Sequence, residues 1–156
     1  MTTKNVWCFA CVLVLSFFVQ AIYAQDVVPT TQPVVQAQGG DIPAELKPFD
    51  EMVNKALTAY NAEDFKAFYA DYAKMMSGVA TEQAFKSLYI DNYKTTFGKY
   101  VSRSFVKEQS SVPENAPVAL IVYSGVFEKE SKVKISMNFT KEENSWKLMQ
   151  VQFAKE

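Results

Sequence analysis

Apolar positions follow three rhythms along the chain, and the rhythms divide it. Residues 6–19 are apolar throughout except Ser16, behind a short head with Lys4 and ahead of Gln20 and small Ala24. From Phe49 the apolar residues recur every three or four positions. Phe49, Met52, Val53, Ala56, Leu57 and Tyr60 form one stripe, which predicts a helix. Pro43 stands where a first-turn proline belongs, and Pro48 falls in the first turn of this helix or marks a short turn before it. Asn61 breaks the stripe and is expected to cap a second helix, with Asp64 reaching back as in a capping box. That helix carries Phe65, Phe68, Tyr69, Tyr72, Met75 and Met76 on one face and ends at Ser77-Gly78. Thr81 caps a third helix, with the stripe Phe85, Leu88, Tyr89, Asn92 or Tyr93, and Phe97, closed by Gly98.

After Gly98 the period changes to two. Residues 100–109 read as a polar strand near a sheet edge, and 110–117 as a turn-rich connection. Residues 118–123 are apolar on both faces, which predicts a central strand covered twice. A charged turn over 128–131 leads to a cleanly alternating strand. There Val133, Ile135, Met137 and Phe139 face one way, and Lys132, Lys134, Ser136, Asn138 and Thr140 the other. A charged hairpin over 141–145 precedes the last strand. Trp146 and Leu148 share one face of it, but Met149, Val151 and Phe153 share the opposite one, so a bulge or strong twist is expected near Leu148. The fold class is α+β: three N-terminal helices packed on one face of a four-stranded antiparallel sheet.

The first rhythm has a different meaning. A basic head, an apolar run and a small residue at Ala24 give the order of a secretory signal peptide, residues 1–24. Ile22 is unusual near such a cleavage site, and an uncleaved anchor is the alternative, but the run is short for a membrane helix. Cys8 and Cys11 spell C-x-x-C inside this run, where they read as small apolar-tolerant residues and not as a redox pair. Cleavage would leave a chain without cysteine, in a secreted or periplasmic location where disulfides are permitted but not required. Residues 25–41, rich in Gln, Val, Pro and Thr and closing on Gly39-Gly40, read as a linker; 42–156 is the domain.

Charge narrows the partners. The chain has 16 Lys and Arg against 17 Asp and Glu, a net charge of −1, and loss of Lys4 with the signal would make it −2. That balance argues against nucleic acid or an anionic membrane as the main partner; a membrane enters only if residues 1–24 stay attached. There is no histidine, so the usual general base and the commonest zinc ligand are missing. No phosphate-binding glycine loop, metal-ligand cluster or nucleophile elbow appears, and no cofactor or metal is expected.

Ala59-Tyr60-Asn61-Ala62-Glu63-Asp64-Phe65, at the join of the first two helices, and Asn144-Ser145-Trp146-Lys147-Leu148, entering the last strand, are structural motifs. With the order of elements, they resemble the nuclear-transport-factor-2-like superfamily, the cystatin-like α+β roll, and its small exported members of unknown function. The resemblance covers about residues 42–156. It implies a cone-shaped roll enclosing a pocket between helices and sheet, which some relatives use for proton transfer or dehydration with a buried Asp and a His or Tyr. The missing histidine excludes a His–Asp dehydratase arrangement here.

An isomerase-like arrangement would need a buried Asp beside a Tyr. Asp64 is explained by capping, while Asp50 and Asp71 fall off their apolar stripes and are expected in solvent. Asp91, with Tyr89 or Tyr93, is the catalytic candidate, and it too sits beside its stripe. The leading expectation is an exported, noncatalytic domain that binds a small apolar ligand or a protein partner, with Tyr69, Tyr72, Tyr89, Tyr93 and Met137 lining the ligand site. The alternative is a homodimerising module whose sheet face meets a second copy through Lys134, Ser136, Asn138 and Tyr123 or Val122. A small-molecule isomerase or lyase is the third reading. Asn138-Phe139-Thr140 also fits a glycosylation sequon.

Overall fold

The computed structural model describes residues 43–156. The expected signal segment, both cysteines and the expected linker lie outside the described residues. A 3-10 turn, Ala44–Leu46, leads into α1, Lys47–Ala62; α2 is a single turn, Phe65–Phe68. A second 3-10 turn, Lys74–Met76, precedes α3, which spans 82–97 and is wound as a π-helix over Lys86–Lys94. The strands are β1 (Tyr100–Phe105), β2 (Val118–Phe127), β3 (Val133–Glu142) and β4 (Ser145–Lys155), antiparallel in the order β1-β2-β3-β4. This is the α+β class that the change of period predicts, with helices first and an antiparallel sheet after.

The long α1 carries the centre of the core. Phe49, Val53, Leu57 and Tyr60 are all but fully buried, against Ile121, Ile135, Met137, Phe139, Val151 and Phe153 of the sheet. Burying each such side chain contributes about 1.5–3 kcal/mol. The predicted inward face of β3, Val133, Ile135, Met137 and Phe139, is buried throughout. The switch of apolar face in β4 is a bulge: Phe139 pairs with Leu148 and Asn138 with Gln150, so Met149 is the extra residue. The inserted residue returns Val151 and Phe153 to the face of Leu148, and all three are buried.

The second helix is much shorter than its stripe suggests. After Phe68 the chain turns away, and Ala73 N–H donates to Leu148 O at 2.8 Å while Leu148 N–H donates to Asp71 O at 2.9 Å. Residues 71–73 thus cover part of the free edge of β4, which would otherwise present unpaired backbone groups. Backbone pairing outweighs the helical pattern there. Tyr89 covers a further edge carbonyl, its hydroxyl donating to Val151 O at 2.9 Å.

Asn61 is not a cap. It lies inside α1, where its side-chain oxygen accepts from Tyr100 N–H and its amide donates to Tyr100 O, both at 2.8 Å. It therefore pairs with the outer edge of β1 as a neighbouring strand would. Asp64 is itself the N-cap of α2 and accepts from Ala67 N–H at 3.0 Å, and Thr81 caps α3 through Ala84 N–H at 3.1 Å. Gly98 ends α3 with φ of 81°, and a Cβ there would stand 2.8 Å from that of Glu128. β1 stops at Phe105, not at Gln109, because Lys107–Gln109 forms a 3-10 turn before pairing resumes at Ser111 and Leu120.

In α3 the π winding decides which side chains face inward. Phe85, Tyr89 and Phe97, at steps of four, are buried with Tyr93 half-buried, while Leu88 is exposed. An α-helix would turn such a row by about 40° at each step, at 100° per residue. The wider π turn opens the angle between Phe85 and Leu88 and so swings Leu88 outward.

Candidate functional site

The bulge in β4, the turn after α2 and the π-helical stretch of α3 meet along one groove. Its first part encloses about 360 Å³ between Tyr69, Tyr72, Met76, Leu88, Tyr89 and Met149. Its second part, about 540 Å³, is lined by Val118, Leu120, Asn138 and Pro113. Both parts share Met76, Met149 and Gln150, so they adjoin. The volumes fall in the range of small-molecule sites. Val79 and Leu88 line the first part with 61% and 39% of their surface exposed, and Val118 of the second part is 51% exposed. An exposed apolar rim of this kind marks a binding surface more often than plain surface does. The methionines, unbranched and polarisable, suit a wall that adapts to what it holds.

The wall behind the first part is a packed set of rings. Phe68 lies 4.4 Å from Tyr89 and 5.0 Å from Phe85, and Tyr69 lies 4.6 Å from Tyr72, measured between centroids. Burial pushes the phenols of Tyr69, Tyr72 and Tyr89 above their ordinary range, so they stay neutral. Tyr72 Oη lies near the Tyr89 hydroxyl and the Val151 carbonyl. That carbonyl already accepts from Tyr89, and Tyr72 Oη completes no hydrogen bond with the described residues.

Of the five residues expected to line a ligand site, Tyr69, Tyr72 and Tyr89 come together at the groove. Tyr93 and Met137 do not. Tyr93 packs on Phe153 at 5.1 Å, and Met137 is fully buried between Ile121 and Val151 in the sheet. Pattern reading missed Met76, Leu88 and Met149 as lining residues. Only the face switch at Leu148 hinted that Met149 would leave the core.

Asp91 is exposed on α3, so it lacks the burial that a proton-transfer carboxylate needs, and the isomerase reading loses its acid. Asp71 is held by Lys55 at 2.9 Å. Asp50 departs most from expectation. It is not simply in solvent but pairs with the buried Arg103 and accepts from Tyr123 Oη at 3.2 Å. Arg103 also donates to Tyr100 Oη at 3.1 Å and lies 4.9 Å from the centre of the Tyr123 ring. Burial opposes the guanidinium charge, but Asp50 and Tyr100 more than offset it, and the group is held above its ordinary range. Arg103 is the chain's single arginine among fifteen lysines, which was the available signal. The cluster ties α1 to β1 and β2 and leaves its carboxylate engaged.

The expected dimer face needs one change. Lys134, Ser136 and Asn138 share a sheet face with Val122, which pairs with Ser136 and is itself buried. Tyr123 points the other way, to Asp50. Asn138, of the sequon, is half-buried in mid-strand and donates to Gln150 Oε1 at 3.3 Å. Among the described residues no group of three His, Cys, Asp or Glu side chains could hold a metal, and no helix is long and apolar enough to cross a membrane.

Comparison with protein-family models finds no match for this chain, and comparison with curated proteins finds none either.

Proposed function

We propose that this is an exported, noncatalytic binding domain that takes an apolar ligand, or an apolar segment of a partner protein, in the groove beside the β4 bulge. The carrying observation is the pair of adjoining hollows that share Met76 and Met149 under a rim of exposed apolar side chains. Export is supported by the order of residues 1–24, and kinship with the nuclear-transport-factor-2-like roll by three helical segments ahead of an antiparallel sheet. A thermal-shift screen against lipids, sterols and aromatic metabolites tests the small-molecule form. A hit should lose at least tenfold in affinity in Met149→Lys and Leu88→Lys, since each puts an ammonium into an apolar wall. Equal binding by both variants would rule the groove out.

The second reading is a homodimer through the face of Lys134, Ser136 and Asn138. The uncharged rows Val122–Ser136–Gln152 and Leu120–Asn138–Gln150 on that face favour it. Light scattering that finds only monomer at high concentration counts against it.

A further inference from the structure

A second cleft opens where the chain enters α1, meeting the groove at Pro113. It encloses about 590 Å³ between Leu46, Phe105 at the end of β1, Val112, and the hairpin that carries Lys141 and Trp146. Its apolar floor is fixed from behind. Trp146 lies 5.0 Å from Phe49, and Phe105 lies 6.0 Å from Tyr123, whose hydroxyl is held by Asp50. Ser110 also lines the cleft, but its hydroxyl is spent on the backbone: it donates to Val106 O at 2.8 Å and accepts from Val122 N–H at 2.9 Å. The polar groups that remain are the side chains of Lys107, Lys141 and Glu114. None of the three makes an ion pair with a described residue.

Lys141 is held at the boundary between floor and solvent, because its Nζ lies 4.9 Å from the centre of the Trp146 ring. A cation–π contact of this kind restrains an exposed ammonium without neutralising it. The cleft thus pairs an aromatic floor with two cations and one opposing carboxylate, and the three lining charges sum to one net positive charge.

We infer that this cleft is a binding site for an organic monoacid with a planar apolar body. The body lies against Phe105 and Trp146, and the carboxylate meets the ammonium groups of Lys107 and Lys141. Glu114 disfavours a second negative charge on the ligand. Charge complementarity selects the acid and the aromatic floor selects the body, so a small inorganic anion would lack half of the recognition. This site meets the second part of the Met76–Met149 groove at Pro113 but has its own aromatic floor and its own charges, and neither reading depends on the other.

The test is an NMR titration of the full chain with 2-naphthoate, following the indole N–H of Trp146; Trp7→Phe identifies which of the two indole signals is which. The expected result is a saturable shift at millimolar probe or below. The neutral 2-naphthalenemethanol should bind about tenfold more weakly, and so should 2-naphthoate to the Lys107→Gln, Lys141→Gln double variant. Both lysines are exposed, so the thermal midpoint of that variant should match the parent. No saturable shift, equal binding of the alcohol, or shifts centred on Met76 and Met149 in place of Trp146 would each overturn the assignment.

Discussion

Tyrosine hydroxyls cluster in two places, beside Arg103 and beside Tyr89, and the two clusters treat them differently. Next to Arg103, the Tyr100 hydroxyl accepts from the guanidinium and the Tyr123 hydroxyl donates to Asp50; Arg103 Nε makes no hydrogen bond with the described residues. Next to Tyr89, the rings crowd together, yet the Tyr72 hydroxyl is buried without a partner among the described residues. The first cluster fixes α1 against β1 and β2 by directional bonds, each of which limits where the elements can sit. The second is held by ring packing, which tolerates small shifts more readily than a charged network does. The apolar groove opens at the second cluster, where an adaptable wall costs least.

Alkali should give the largest effect, because burial keeps phenols neutral in both clusters and at Tyr60. Burial comes first in raising the ionisation of Tyr60, Tyr89 and Tyr123 above 10.0; Tyr123 is raised further by the Asp50 charge. The unfolded chain loses these protons near its ordinary phenol pKa and the folded chain does not. Stability is therefore fully present below about pH 10 and falls as pH rises beyond it. Three such groups together cost roughly 4 kcal/mol for each pH unit above 10. Tyrosinate absorbance and loss of helical circular dichroism should rise together in one step. A smooth phenol titration near pH 10 with the fold intact would show that neither cluster is closed to water.

The next effect separates the two members of the ion pair. The Arg103 side chain is 3% exposed and that of Asp50 is 21% exposed. Asp50→Ala strands a buried guanidinium and should cost about 3–5 kcal/mol in urea denaturation. Arg103→Met puts an apolar chain of similar length into the same space and leaves a carboxylate that reaches water and still accepts from Asn54. It should cost about 1–2 kcal/mol. Equal losses would mean that the pair acts only through its mutual attraction and that the asymmetry of burial is irrelevant.

The two clusters were not equally legible in the sequence. The stripe of α1 and the alternation of β3 predict their buried faces because one repeating contact surface sets each of them. The face switch in β4 predicts a bulge because a strand can change faces in no cheaper way. What the pattern could not carry were pairings between distant segments. Asp50 and Arg103 lie 53 positions apart, and Asn61 and Tyr100 lie 39 apart. Neither pair leaves a local period. The turn after Phe68 and the outward swing of Leu88 likewise arise from the edge of β4 and from π winding, both absent from an α-helical template. Three of the five expected ligand residues reach the groove because ring packing brings them together; of the other two, Tyr93 continues the α3 stripe onto Phe153 and Met137 lies on a strand face that is buried throughout.

The smallest effect is also the sharpest contrast between satisfied and unsatisfied hydroxyls. Tyr60 Oη donates to Gly98 O at 2.8 Å in a fully buried site, whereas Tyr72 Oη has no partner among the described residues. Tyr60→Phe leaves the Gly98 carbonyl without that bond and should cost about 1–2 kcal/mol. Tyr72→Phe removes a desolvated hydroxyl that gains nothing in return, so stability should stay within about 0.5 kcal/mol of the parent or rise by up to about 1 kcal/mol. Chemical denaturation of the two variants side by side checks this. A loss in Tyr72→Phe as large as that in Tyr60→Phe would place a bonded partner, protein or bound water, at the Tyr72 hydroxyl. The second cluster would then be as fully bonded as the first, and its claim to be the more adaptable wall would fail.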